Sequence, residues 1–124
     1  MNEKEEEPKC PTAPRVTYGD VEATIVSEHY FTGAEGVEGA VAAMSSNSEA
    51  QVLFDVDLSP LKTLTLCVLV LKNGTKIVGV NYGSVSVENF DADKGRRAAR
   101  KDAVEKIWPL LGYALRDRLS KGAA

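Results

Sequence analysis

Asn81, Tyr82, Ser84, Ser86 and Asn89 crowd a loop that follows an apolar run, and Arg96 and Arg100 stand four residues apart shortly after it. Residues at that spacing share one face of a helix. Each guanidinium presents a planar fork of donors that matches a carboxylate or a phosphate, and the loop adds hydroxyl and amide groups. The chemistry on offer is recognition of an anion, either an acidic patch of another protein or a small nucleotide-like molecule. The competing reading is internal. Both arginines flank the small-residue stripe Gly95, Ala99, Ala103 and Ile107, and an arginine drawn into a core needs partners, for which Asp20, Glu22 and Glu28 are candidates.

No catalytic constellation accompanies them. His29 is the single histidine and has no legible nucleophile or second base, so a packed, hydrogen-bonded role suits it better than general-base work. Gly79-Val80-Asn81-Tyr82-Gly83 has the glycine spacing of a nucleophile elbow, but Asn stands where the serine must be. Gly83 is not followed by the lysine and hydroxyl of a phosphate loop, so the two glycines read as a bulge or a tight exit from a strand. Cys10 and Cys67 lack metal-ligand spacing, and Cys67 reads as a small buried hydrophobe. These features predict a non-enzymatic protein without cofactor or metal.

The 124-residue chain fits one domain. Its opening "MNEKEEEPKCPTAPR" has too few large apolar residues to offset the entropy of ordering, so residues 1–14 read as a disordered acidic tail and 15–124 as the domain. That opening has no apolar signal-peptide core, and no stretch is long and apolar enough to span a bilayer, which predicts a cytoplasmic location with no membrane partner. The formal charge of −3 conceals a division. Residues 1–61 carry 3 Lys and Arg against 12 Asp and Glu, whereas residues 62–124 carry 12 against 6. The halves are complementary, within one chain or between copies.

The elements that must position these residues follow from pattern. Thr17 and Asp20 have the spacing of a helix cap, and Val21, Ile25 and His29 then place one apolar face on a helix over about 18–30. "TGAEGVEGAVAAMSSNSEA", about 32–50, reads as a flexible connector with at most a weak helical turn around Val37 to Met44. Val52, Phe54, Val56 and Leu58 alternate like a strand. "TLTLCVLVL" and "KIVGVNY" form a hairpin around Asn73-Gly74, a pair suited to a type I′ turn with both residues at positive φ. That hairpin is apolar on both faces, so helices or a second subunit must cover both. Asp91 caps the next helix. Pro109 opens a last helix that buries Leu111, Leu115 and Leu119, while Trp108 and Tyr113 read as core packing where the two helices meet. The predicted class is α+β: an N-terminal helix, an antiparallel hairpin extended to three strands if 52–58 joins it, and two C-terminal helices.

Taken together, "TIVSEHYFTGAEGV", "LTLCVLVLKNG", "VENFDADKG" and "AVEKIWPLLGYALRDRL" resemble the gene product 49 / gene product 66 family of small tailed-phage and prophage proteins, over about Val16 to Leu119. The matching positions are Asn89, Phe90, Asp91, Gly95 and Ala99, then Ile107, Trp108, Gly112 and Tyr113. Many members have a Ser-Ala-Cys segment before the Asn-Phe-Asp, where this chain has "NYGSVS", so a thiol role finds no support. The resemblance implies phage origin and a host bacterial cytoplasm, and no reaction.

The expected function is therefore that of a phage or prophage accessory protein that binds or sequesters a host protein or a small anionic ligand. Nucleic-acid binding through the basic C-terminal helices is the alternative, and a sequence pI near 5.2 disfavours it. The two-sided apolar hairpin and the small-residue stripe predict a homo-oligomer.

Overall fold

A capping box starts the first helix, α1 (Tyr18–Ala23). The Thr17 hydroxyl accepts the Asp20 N–H at 3.0 Å, and the Asp20 carboxylate accepts the Thr17 N–H at 2.9 Å. The computed structural model describes residues 13–44 and 56–122. After α1 come β1 (Ile25–Thr32), α2 (Gly33–Ala43), a 3₁₀ turn at Ser59–Thr63, β2 (Thr65–Leu71) and β3 (Lys76–Asn81). A second 3₁₀ turn at Val87–Asn89 then leads into α3 (Ala92–Glu105) and α4 (Ile107–Ser120). The fold is α+β, built on a three-stranded antiparallel sheet in the order β1-β2-β3.

Helix α3 lies over β2 and β3 on one face of that sheet. Every second residue of β2, from Thr65 to Leu71, is buried beneath it, and the core joins Val21, Cys67, Leu69, Leu71 and Ile77 to Ala99, Ala103, Val104 and Ile107. The small-residue stripe does what its spacing predicts, and Gly79 on β3 completes it. A Cβ at Gly79 would stand 2.0 Å from the Ala99 carbonyl oxygen and 2.5 Å from the Ala103 nitrogen, so helix and strand touch backbone to backbone. The opposite face of the sheet carries His29, Phe31, Leu66, Val68, Val70, Val78 and Val80, with Val78 exposed and the two β2 valines half-buried. Only one side of the hairpin is fully covered by the described residues.

Several expectations give way. The helix over 18–30 stops at Ala23, because Thr24-Ile25-Val26 is β-branched and residues 25–32 pair with β2 as its outer strand. Val21, Ile25 and His29 consequently share no helical face, and His29 is exposed on β1 with its Nε2 3.1 Å from the Ser27 hydroxyl. A second capping box, Thr32 with Glu35, starts α2 inside the stretch read as connector. Its remainder, 45–50, lies outside the described residues, as do Val52 and Phe54, while Val56 to Leu58 form no strand. β1 supplies the third strand instead.

At the hairpin tip only Gly74 has positive φ, +86°, and Asn73 does not. The Gly74 N–H donates to the Leu71 carbonyl and the Leu71 N–H to the Thr75 carbonyl, both at 2.8 Å, which is a three-residue loop with a left-handed glycine and not a two-residue type I′ turn. Helix α4 begins at Ile107, so Pro109 falls in its first turn without opening it. Leu111 and Leu115 are half-buried as expected; Tyr113 is exposed on the side opposite Trp108 and Leu111, which meet the core, and Leu119 is exposed in the last turn.

Candidate functional site

Arg100 sits at the centre of a charge cluster. Its guanidinium donates to both oxygens of Glu22, at 3.0 and 2.7 Å, and to both oxygens of Glu28, at 3.0 and 3.2 Å. The Tyr30 hydroxyl donates to Glu28 Oε1 at 2.6 Å. Glu22 comes from α1 and Glu28 from β1, so the cluster ties three elements together; of the acids anticipated as partners, Asp20 is not among them. The Arg100 hydrogen bonds hold both carboxyls below the usual glutamate range, and they push the guanidinium still further from deprotonation. Burial first, then the bond to Glu28, raises the Tyr30 phenol, and burial raises the neighbouring Cys67 thiol away from the reactive thiolate. The arrangement is chemically quiet.

Arg96, one turn earlier, is in a different situation. It pairs with Asp93 on its own helix, both side chains substantially exposed, and it lines a cavity of about 140 Å³. The walls come from Tyr30, Phe31 and Thr32 at the end of β1, Glu35 in the first turn of α2, and Phe90 and Ala92 at the start of α3. Thr65 also borders it. The Thr65 hydroxyl is buried without a hydrogen-bond partner, and a Cβ on Gly95 would stand 2.7 Å from it, so that oxygen faces the helix at its closest approach. Three aromatic rings beside one cation of a mobile-length side chain suit an apolar group better than a multiply charged one, since Glu35 and Asp93 offset Arg96.

The loop's polar groups serve the loop. The Asn81 amide oxygen accepts the Gly83 N–H at 3.0 Å, and the Ser84 hydroxyl donates to the Ser86 carbonyl at 2.6 Å. Asn89 closes the 3₁₀ turn, its N–H donating to the Ser86 carbonyl at 3.3 Å. Gly83 has φ +81°, and a Cβ there would stand 2.0 Å from the Thr63 carbonyl oxygen, which makes it the tight exit from β3. Tyr82 and Val85 point to solvent, Tyr82 at 79% exposure, with Val87 also exposed. The seven candidate residues thus fall in three places: Arg100 in the cluster, Arg96 at the cavity, and Asn81, Tyr82, Ser84, Ser86 and Asn89 in a loop that lines neither.

Two residues carry a role that sequence reasoning missed. Asp102 Oδ2 accepts the Val80 N–H at 2.9 Å, and Lys106 Nζ donates to the Val78 carbonyl at 2.6 Å, with the two side chains 3.4 Å apart. The Val80 amide is the main cause that holds the Asp102 carboxyl below the usual aspartate range. Their i, i+4 spacing was visible in the sequence, but it reads as an ordinary surface pair unless the strand beside it is known. Among the described residues no cluster of His, Cys, Asp and Glu has metal-binding geometry, and no helix is long and apolar enough to cross a membrane.

The chain matches the Phage protein (N4 Gp49/phage Sf6 gene 66) family over residues 16–119 and belongs to that family. No curated protein and no solved structure matches it. The residues that carry the family likeness are largely architectural here: Asp91 caps α3, Gly95, Ala99 and Ile107 are buried, and Phe90 packs beside Gly95.

Proposed function

We propose that this phage-family protein acts by binding another protein, without catalysis, and that the loop at 82–87 is its contact surface. The observation that carries the reading is Tyr82 at 79% exposure, with Val85 and Val87 also exposed, on a loop where the Asn81 and Ser84 side chains already bond the loop's own backbone. Aromatic and aliphatic groups displayed on a preorganised turn are what protein interfaces use as anchors, because little entropy remains to be lost on contact. A host protein is the favoured partner. A small anionic ligand fits less well, since the Arg100 fork is filled by Glu22 and Glu28.

The test is capture from bacterial lysate with the wild-type protein and with a Tyr82→Ser, Val85→Ser double variant of equal melting temperature. The variant is expected to lose the captured protein. Retention at full affinity would remove the loop from consideration. Nucleic-acid binding has one observation in its favour, the solvent-facing Lys94, Arg97 and Lys101 at i, i+3 and i+7 of α3, and predicts instead an association that weakens steeply with salt.

A further inference from the structure

The sheet has two edges, and the protein treats them differently. On β3 the outward groups are the Val80 N–H and the Val78 carbonyl, and Asp102 and Lys106 cover them. Backbone groups alternate in direction along a strand, so Ile77, Gly79 and Asn81 must turn inward to their partners Leu69, Cys67 and Thr65. The intervening β2 residues Leu66, Val68 and Val70 then turn toward β1 and meet Phe31, His29 and Ser27. It follows that the N–H and C=O of Glu28 and Tyr30 point away from the sheet. At the end of this edge the Thr32 N–H is taken by the Glu35 carboxylate at 2.8 Å, but among the described residues nothing bonds the backbone of Glu28 or Tyr30. An edge left uncovered between well-ordered side chains is a template for another strand.

We infer that β1 pairs antiparallel with β1 of a second copy about a two-fold axis at His29, joining two three-stranded sheets into one. Strand geometry selects this register. Outward groups can bond only to outward groups, so even-numbered residues of one copy must face even-numbered residues of the other. Centring on Glu28 sets the two Glu28 side chains directly opposite, which is repulsive. Centring on Tyr30 places Glu28 against Thr32, whose N–H is already engaged. With His29 at the centre, Glu28 of each copy faces Tyr30 of the other and their donors and acceptors pair in full, while the engaged Thr32 N–H falls at the end of the ladder, opposite Val26 at the bulge. The contact is self-complementary, as a two-fold interface requires.

The same register accounts for two other features. Val26, 64% exposed beside the bulge between Ile25 and Ser27, comes opposite Thr32 of the other copy, at the cavity lined by Phe31, Phe90 and Arg96. Each copy thereby offers an apolar side chain to the other's aromatic-walled cavity. The Glu22–Arg100–Glu28–Tyr30 network meanwhile holds the edge strand straight against α3, so little order is gained on pairing.

Sedimentation of the full chain at tens of micromolar is expected to show a dimer, with the Glu28 and Tyr30 amides protected from hydrogen exchange. His29→Asp and His29→Lys, each at an exposed position, are expected to weaken the dimer by about tenfold or more, because like charges then face each other at the axis. An equimolar mixture of the two variants should recover it. Four results would each overturn the inference: a monomer whose two amides exchange freely, a monomer in which they are protected by another part of the same chain, a dimer in which they exchange freely, or variants that dimerise as well alone as mixed.

Discussion

Toward β3, helix α3 is joined by contacts that allow no adjustment: the Gly79 backbone against Ala99 and Ala103, and the Val78 and Val80 backbone groups taken by Lys106 and Asp102. Toward β1 the same helix is joined by charge, through Arg100 to Glu22 and Glu28, and beyond Arg100 it leaves an aromatic-walled cavity and a strand edge whose Glu28 and Tyr30 backbone groups are bonded by nothing among the described residues. Among the described residues, one flank has its outward backbone groups met, and the other leaves those of Glu28 and Tyr30 unmet.

The largest effect should come from disturbing the β3 flank. Gly79→Val requires a side chain where backbone atoms of α3 already stand, and because neither helix backbone nor strand can step aside singly, destabilisation of about 3 kcal/mol or more is expected in chemical denaturation. An unchanged midpoint would mean that α3 does not rest on β3 this closely. On the other flank, Arg100→Gln leaves Glu22 and Glu28 facing each other without their cation. The side chains are partly solvated, so the cost falls below that of a fully buried pair, at about 2 kcal/mol. Because Arg100 lowers both folded-state pKa values, those carboxylates stabilise the fold above their unfolded values of about 4.3, and that stability is lost as pH falls through the folded values. The wild type should therefore weaken on acidification below about pH 4.3, and Arg100→Gln should show a shallower loss over the same window.

How far each flank could be read in advance follows the same division. The stripe Gly95, Ala99 and Ala103, the Asp91 cap and the β2–β3 hairpin are local patterns with a fixed period, and they stand in the structure where the sequence places them, while Ile107 is buried in line with them but opens α4. The pairing of Arg100 with Glu22 and Glu28 was open to sequence reasoning as one of two readings, because buried charge demands a partner. β1 was not legible. Val21, Ile25 and His29 satisfy a helical period by coincidence, and only the need of β2 for an outer neighbour decides that 25–32 is a strand; that need is a tertiary fact. The Asn73-Gly74 turn was legible as a turn but not in type, since one left-handed glycine serves as well as two such residues. The separation of the loop from both arginines depends on where β3 ends relative to α3, which no spacing in the sequence encodes.

A smaller effect than Arg100→Gln is expected from Asp102→Ala. It removes one acceptor from the Val80 N–H at a solvent-accessible edge, where water replaces part of the bond, at a cost of about 1 kcal/mol. Its second consequence is more telling. With the β3 edge uncovered, the two edges become alike, and concentration-dependent association beyond that of the wild type should appear in light scattering. Unchanged association would show that the Asp102 and Lys106 contacts do not protect this edge.

The smallest effect should be that of Arg96→Gln, one turn from the residue whose loss matters. Arg96 pairs with Asp93 at i−3 on a surface where both side chains are largely solvated, and such a pair gains little Coulomb energy against water and salt. Glutamine keeps the aliphatic stem that borders the cavity and the helix propensity of the site, so packing changes little. The denaturation midpoint should shift by no more than about 0.5 kcal/mol, in either direction. The contrast with Arg100→Gln is then a factor of several for the same chemical change on the same helix face. It arises because Arg100 crosses to two other elements while Arg96 bonds only within its own. A loss at Arg96 comparable to that at Arg100 would mean that the cavity is closed by the guanidinium in solution, and that the β1 flank is held as closely as the β3 flank.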